Sequence, residues 1–220
     1  EYKHVDLPEA NKYKNPLFDI SSFSKENGVD ITFVGTTNKP GDKLPDNISD
    51  IENSWISKFK NNSSVGIFVG DTYLDGIENL NTKKISKGYK YQEFNNISLI
   101  SLNASKGSLT KTSVYNWSFY KEIKNSNVQN VVFIVNKNID NISDKNIFKE
   151  ALKDLVDMGK TIFVVSADDN ISVSNYMEDG VTYINLDSLF NSSGSINKDF
   201  SILRLRVNSN NIKFNIEKVF

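Results

Sequence analysis

The chain has 220 residues, with 26 Lys or Arg against 27 Asp or Glu, so its formal net charge is -1. This length is sufficient for one domain with a hydrophobic core. A nearly neutral chain has no general positive field, which disfavours nucleic acid as a partner. The absence of cysteine excludes thiol nucleophiles, cysteine-bound metals and disulfides. The apolar runs, such as residues 131–135, are far shorter than the about 20 residues that span a bilayer.

The composition also bears on the origin of the chain. Thirty residues are Asn, and Arg occurs only at positions 204 and 206. We interpret this bias as codon usage in an AT-rich genome, typical of a low-GC Gram-positive bacterium. Because the chain begins at Glu1 and lacks cysteine, we expect it to be part of a longer, secreted or cell-surface protein.

The first third of the sequence predicts a lead-in followed by the start of a folded domain. Residues 1–27 have no sustained period and are predicted as a linker, with a possible short strand at 17–23, whereas residues 28–220 are predicted as one domain. The β-branched run Val29–Val34 predicts a strand. Residues 38–46 predict a surface turn, residues 47–60 an amphipathic helix, and residues 64–70 a second buried strand.

The remainder of the sequence repeats this alternation. Strands are predicted at Ile97–Leu102, 130–136, 161–166 and Val181–Leu186, and helices at 113–124 and 144–159. In the second helix, Asp144 is the predicted cap and Gly159 the predicted stop. Its predicted inward positions are Ile147, Phe148, Leu152, Leu155 and Val156. Residues 200–207 and 212–220 predict a hairpin, so the fold class is α/β, with a mixed-sheet sandwich flanked by helices and a C-terminal β-hairpin.

Several familiar kinds of site are missing from the sequence. The only histidine is His4, in the predicted lead-in, so no histidine base, catalytic triad or histidine-rich metal site can form within the predicted domain. Lys106-Gly107-Ser108 lacks the spacing of a phosphate-binding loop. No glycine fingerprint of a dinucleotide site is present either.

Four aspartates are the candidate metal ligands. Asp71 and Asp75 follow the strand predicted at 64–70, and Asp168 and Asp169 follow the strand predicted at 161–166. Ligands of open α/β sheets bind at the carboxyl ends of strands, and a hard cation such as Mg, Mn or Ca needs several such oxygens. The alternative is that Asp71 and Asp168 bond to local backbone amides, which is common turn chemistry.

The order of these segments resembles that of calcineurin-like metallophosphoesterases, over about residues 29 to 220. The blocks that carry the resemblance are Phe33 to Thr37, Gly70-Asp71, Ile97–Leu102 with Asn103, the Trp117 helix with the strand after it, and residues 179–184. It is most similar to the metallophosphoesterase-like C-terminal region of bacterial phosphodiester glycosidase proteins, which are related to N-acetylglucosamine-1-phosphodiester alpha-N-acetylglucosaminidase. The resemblance implies a metallophosphoesterase-like mixed-sheet sandwich.

The departures from this family pattern point away from catalysis. Active members hold two metals about 3.5–4 Å apart with aspartates, histidines and an asparagine. Here the first block is Gly35-Thr36-Thr37, the fourth reads Asn136-Lys137, and the last reads Ser166-Ala167-Asp168-Asp169, with no histidine in any of them. A dinuclear centre needs its full ligand set to form. We therefore expect a degenerate domain with no cofactor beyond weak Mg, Mn or Ca binding.

The resulting hypothesis is a non-catalytic accessory domain that binds a cell-wall glycan or positions a companion phosphodiester glycosidase domain. An alternative of another class is a residual metal-dependent phosphodiesterase whose site consists of Asp71, Asp75, Asp168 and Asp169. A third is a purely structural spacer or oligomerisation unit, whose cleft its own side chains would fill.

Overall fold

The computed structural model describes residues 29–37, 65–70, 82–84, 89–94, 97–167, 172–207 and 212–220. The strands within these ranges are β1 Val29–Val34, β2 Val65–Phe68, β3 Thr82–Lys84, β4 Lys90–Phe94, β5 Ile97–Leu102, β6 Asn130–Val135, β7 Thr161–Ala167, β8 Ser174–Glu178, β9 Val181–Leu186, β10 Ser201–Val207 and β11 Ile212–Lys218. The α-helices are α1 Leu109–Thr112, α2 Ser118–Asn125 and α3 Lys145–Asp157, and short 3-10 helices cover Val114–Trp117 and Ile139–Asn141.

The strands form two mixed sheets. The first has the order β11-β10-β1-β2-β3, with β1, β2 and β3 parallel and the β10–β11 hairpin antiparallel beside β1. The second has the order β4-β5-β6-β7-β9-β8, with four parallel central strands and an antiparallel strand at each edge. The predicted mixed-sheet α/β class and the C-terminal β-hairpin are therefore confirmed.

The main core lies between the two sheets. It combines Phe33 of β1, Leu203 of β10 and Phe214 of β11 with side chains of β5, β6, β7 and β9 in the second sheet. Phe163 and Phe214 meet edge to face across this interface, with ring centroids 5.8 Å apart. The two sheets are thus packed face to face, as in a sandwich.

A second core fills the space between the six-stranded sheet and the helices. Alternate residues of β6 point to opposite faces, so Val132 and Ile134 join the first core while Val131, Phe133 and Val135 join the second. Phe119 of α2, Phe133 of β6 and Phe148 of α3 pack in mutual edge-to-face contacts with centroids 5.0 to 5.8 Å apart. Burial on both faces explains why these strands are apolar runs without alternation.

The only two arginines of the chain both lie on β10. Arg206 forms an ion pair with Asp30, its cross-strand partner on β1, and Arg204 donates to Glu217 of β11 over 2.8 Å. Both arginines are nearly inaccessible to solvent. Buried guanidinium groups need such paired acceptors, so these arginines join neighbouring strands of the first sheet.

The helix predictions need three corrections. The helix predicted at 113–124, with Trp117, Tyr120 and Ile123 facing inward, begins as a 3-10 turn. Ile123 is buried, but Trp117 and Tyr120 are only partly buried, and Asn116 and Phe119 are the other buried residues. Ile147, predicted to face inward on α3, is exposed, because the face that packs on the sheet is centred on Phe148 and Leu152. Asp144 does precede α3, but its side chain makes no capping bond to that helix.

Three strands were not predicted, and three predicted segments lie outside the described residues. β3, β4 and β8 are edge strands rich in polar residues, which removes the apolar signal of a buried strand. The lead-in with its possible strand, the turn at 38–46 and the helix at 47–60 fall in the parts of the chain that the structure does not describe. No helix of the described ranges is long and apolar enough to cross a membrane.

Candidate functional site

The carboxyl ends of the parallel strands of both sheets meet at one edge of the sandwich. Thr36, which follows β1, forms a parallel bridge with Ser188, which follows β9. The amide of Leu189 donates to the Thr36 carbonyl over 2.8 Å. Because β5, β6 and β7 run parallel to β9, their carboxyl ends lie at this same edge. This is the place where an α/β sheet binds ligands.

Two glycines allow the strand ends to pack closely there. A Cβ on Gly35 would lie 2.1 Å from the Asp187 carbonyl oxygen, and one on Gly70 would lie 2.2 Å from Thr36 Oγ1. Neither position has room for a larger residue. We call Gly35, Thr36, Gly70, Asp187 and Ser188 the strand-end junction.

Asp187 is a buried carboxyl group in this junction. Its Oδ1 accepts from the Ser201 amide over 3.2 Å, and Asn197 Nδ2 approaches its Oδ2 at 3.4 Å. Burial raises the pKa of Asp187 to about 7, and these hydrogen bonds only partly oppose that effect. The sequence analysis did not single out Asp187, because an aspartate directly after a strand is ordinary turn chemistry.

Three asparagines organise the adjoining ends of β5 and β6, and we call them the amide network. Asn103 Oδ1 accepts from Asn136 Nδ2 over 3.1 Å, and Asn136 Oδ1 accepts from the Ala104 amide over 2.7 Å. The buried Asn116 accepts from the Asn103 amide and donates to the carbonyls of Asn103 and Leu109. The network holds the loops after β5 and β6 in fixed positions.

Asp144 joins these same loops. Its two oxygens accept hydrogen bonds of 2.9 to 3.0 Å from the Ser108 and Thr110 hydroxyls and from the amides of Leu109 and Thr110. Burial works to raise the pKa of Asp144, but the donated hydrogen bonds outweigh burial and hold that pKa below its usual value. This aspartate therefore connects the start of α3 to α1 and is not available to a ligand.

The four predicted metal ligands, Asp71, Asp75, Asp168 and Asp169, lie outside the described residues. Gly70 and Ala167, which directly precede Asp71 and Asp168 in the sequence, are described. Gly70 packs on Thr36, Thr36 is bridged to Ser188, and Ala167 pairs with Leu186 on β9. Both strand ends therefore lie at the same edge of the sandwich, although β2 and β7 belong to different sheets and are not neighbouring strands.

The described residues of this edge do not fit a dinuclear metal centre. Thr36 and Thr37, which stand in the first block of the family pattern, are buried, and Asn136 and Ser166 are engaged by Asn103 and Asn185. No group of three or more His, Asp or Glu side chains that could hold a metal occurs within the described ranges. Amides and hydroxyls can donate and accept hydrogen bonds with sugar hydroxyls or a peptide.

Comparison with known proteins gives only distant structural likeness. No protein-family model matches the chain, and neither does any curated protein. Wild-type Vps29 complexed with zinc from Entamoeba histolytica is 8% identical, with a TM-score of 0.43 over 87% of this chain and 100% of that chain. A single mutant of the Entamoeba histolytica protein is 9% identical, with a TM-score of 0.42 over 86% of this chain and 99% of that one.

A third similar structure is Vps29 from Chaetomium thermophilum complexed with a cyclic peptide. It is 10% identical, with a TM-score of 0.45 over 87% of this chain and 95% of that chain. At this level the likeness carries no information about metal, ligand or partner, and the architecture of this chain rests on its own strand order.

Proposed function

We propose that the chain is a non-catalytic metallophosphoesterase-like accessory domain of a secreted or cell-surface bacterial protein. Its task is to bind a cell-wall glycan or to position a companion phosphodiester glycosidase domain. The binding face is the edge of the sandwich where the strand ends meet.

The strand-end junction is the observation that carries this proposal. In the family pattern the first block supplies metal ligands, which must point freely into the cleft. Here Thr36 is 8% exposed and Thr37 is 0% exposed, and the Thr36 backbone joins the two sheets through Ser188 and Leu189. A block that holds the sheets together supports a structural role for these residues in place of a catalytic one.

The sequence supports the exported context. A chain without cysteine and rich in Asn and Lys is typical of exported proteins of low-GC Gram-positive bacteria, and the resemblance to glycosidase-associated regions agrees with this. We infer a glycan as the ligand from this same resemblance, because the related regions accompany glycosidases.

Co-sedimentation with purified cell-wall sacculi tests the proposal. We expect the chain to bind Gram-positive sacculi saturably and to remain in the supernatant with microcrystalline cellulose, the control matrix. Equal partition on both matrices, or no sedimentation with sacculi, would remove the glycan function and leave positioning of a companion domain.

A residual metal-dependent phosphodiesterase is the second candidate. It is favoured by Gly70 and Ala167 lying at one edge, because Asp71 and Asp168 follow them in the sequence. Hydrolysis of bis(p-nitrophenyl) phosphate that requires added Mn²⁺ and is lost in Asp71→Ala would support this candidate over the first. An Asp157→Ala variant, changed at an exposed residue at the end of α3, is the matched control.

A further inference from the structure

Two apolar side chains that are adjacent in the sequence are exposed beside the amide network. Val114 is 68% exposed and Tyr115 is 71% exposed, and both belong to the 3-10 turn before α2, directly ahead of the buried Asn116. Ile147, in the first turn of α3, is also exposed, at 64%. Adjacent exposed apolar side chains mark an interaction surface, whereas single ones are ordinary. We call Val114 and Tyr115 the apolar patch.

The backbone that carries Tyr115 is rigidly held. The Ser113 hydroxyl accepts from the Tyr115 amide over 3.3 Å, and the next residue, Asn116, is buried in the amide network. Trp117 Nε1 donates to Thr110 Oγ1 over 3.0 Å, and its ring lies 6.4 Å from that of Phe148, which follows Ile147. An aromatic ring on a fixed turn loses little conformational freedom when a ligand stacks on it.

Positive charge predominates in the two segments that follow β5 and β6, although the chain as a whole carries a net charge of -1. The two loop segments 103–117 and 136–147 contain four lysines and two aspartates, namely Lys106, Lys111, Lys137, Lys145, Asp140 and Asp144. Both aspartates have partners within the protein, since Asp144 accepts from α1 and Asp140 lies 3.4 Å from Lys149 Nζ. Lys106 and Lys111 are exposed. The formal charge of these segments is therefore positive.

We propose that the apolar patch and the neighbouring Lys106 and Lys111 bind an anionic glycan, in which sugar rings alternate with negatively charged groups. This inference rests on the proposed glycan-binding function and names its ligand class. The C–H face of a sugar ring packs on Tyr115 and Val114, because both present apolar surface to solvent. The lysines attract the charged groups, with a strength that falls as salt is added.

Co-sedimentation with two forms of the same sacculi tests this assignment. One form retains its covalently bound anionic wall polymer, and the other has had that polymer removed with acid. We expect the chain to bind the first form at least about tenfold more tightly than the second, and added salt to abolish the difference. Equal binding to both forms at low salt would overturn the assignment of an anionic ligand.

Variants at the apolar patch and at its lysines test whether this surface binds the sacculi. Tyr115→Ala, and separately the double variant Lys106→Glu with Lys111→Glu, are each expected to weaken binding about tenfold, while Tyr115→Phe keeps it. The controls are Met158→Ala, an exposed apolar residue beyond the far end of α3, and the exposed Lys198→Glu. Unchanged melting temperatures show that every variant is folded.

The sacculus-binding results distinguish a wrong assignment of the patch from a wrong proposed function. If the wild type binds sacculi while patch variants and controls bind equally well, the patch assignment is wrong and the proposed function stands. If the wild type does not bind sacculi, the glycan function and the assignment both fail. A dimer in light scattering that Tyr115→Ala converts to a monomer would assign the patch to a second copy of the chain and overturn the glycan proposal.

Discussion

Asp187 shows how one residue contributes to the joint between the sheets. Its carbonyl oxygen lies against Gly35 at the end of β1, and its carboxylate accepts from the Ser201 amide at the start of β10. A carboxyl group in such a buried position is easier to accommodate when it is protonated. This residue should therefore make the stability of the protein depend on pH.

The pH dependence has a definite sign. The folded protein holds the Asp187 proton up to about pH 7, whereas the ordinary value for the unfolded chain is 3.8. Between these values the folded state binds more protons, so the free energy of unfolding falls as pH rises, by at most about 1.4 kcal/mol per pH unit from this group.

The Asp187→Asn variant isolates this effect, because asparagine carries no titrating proton. Urea denaturation of both proteins should show the variant gaining stability relative to wild type between about pH 5 and pH 7, and a constant difference above about pH 8. A difference that does not change with pH would mean that Asp187 is ionised throughout.

Among the residues of the loops after β5 and β6, Asp144 should contribute most to the free energy of unfolding. Asp144→Ala would leave four donors of Ser108, Leu109 and Thr110 without their acceptor. We expect a loss of about 2 to 4 kcal/mol in the free energy of unfolding, measured with urea. Glu150→Ala, an exposed change on the same helix, should stay within about 0.5 kcal/mol of wild type. Equal effects of the two substitutions would contradict this role.

At the scale of elements, the junction between β1, β2 and β9 depends on its two glycines. Gly35→Ala or Gly70→Ala would place a methyl group about 2 Å from backbone or side-chain oxygen. We expect each to destabilise the protein by about 3 kcal/mol or more, or to abolish soluble expression. Gly107→Ala is the matched control, since its Cβ meets nothing within 4 Å and its φ of +70° should cost only about 1 kcal/mol. Thermal melts that rank Gly107→Ala as the most damaging would contradict this packing.

The contact between α3 and the sheet depends on Phe148. Its ring meets Phe119 and Phe133 edge to face, and the side chain is fully buried. Phe148→Ala should cost about 3 to 5 kcal/mol in urea denaturation, whereas Ile147→Ala on the exposed face should cost less than about 0.5 kcal/mol. A large loss of stability in Ile147→Ala would mean that α3 packs its Ile147 face against the core.

Buried elements were more readily predicted from the sequence than exposed ones. Strands β1, β5 and β9 have the predicted bounds, because buried strands are rich in apolar and β-branched residues. Strand β8 was missed because its pattern is polar at an exposed edge. The turn Asp179-Gly180, with φ of +47° and +76°, was a signal that could have revealed the hairpin, since an Asp-Gly pair favours a two-residue turn.

The candidate site was less predictable than the fold. The position of Asp71 and Asp168 directly after strands was foreseeable, because the apolar runs before them predict strands. The burial of Thr36, the raised pKa of Asp187 and the engagement of Asp144 by α1 were not, because each depends on contacts between residues more than 10 positions apart in the sequence. Exposure of Ile147 next to buried Phe148 likewise depends on how α3 is rotated against the sheet.

At the scale of the whole molecule, two sheets, a shared core and one joined edge form a rigid platform. The joint consists of Thr36 with Ser188 and Leu189, and the segment after β5 carries the apolar patch with Lys106 and Lys111. In this account the edge binds a ligand through its surface and does not assemble a metal centre. Metal affinity is therefore the property that distinguishes a non-catalytic binding domain from a metal-dependent enzyme.

Calorimetric titration of the chelator-treated protein with Mn²⁺, Mg²⁺, Zn²⁺ and Ca²⁺ is the most direct test. The account predicts no saturable binding tighter than about millimolar, because an aspartate-only set lacks the ligands of a dinuclear centre. Saturable micromolar binding that is lost in Asp71→Ala and kept in Asp157→Ala would contradict the account and establish a metal-dependent site.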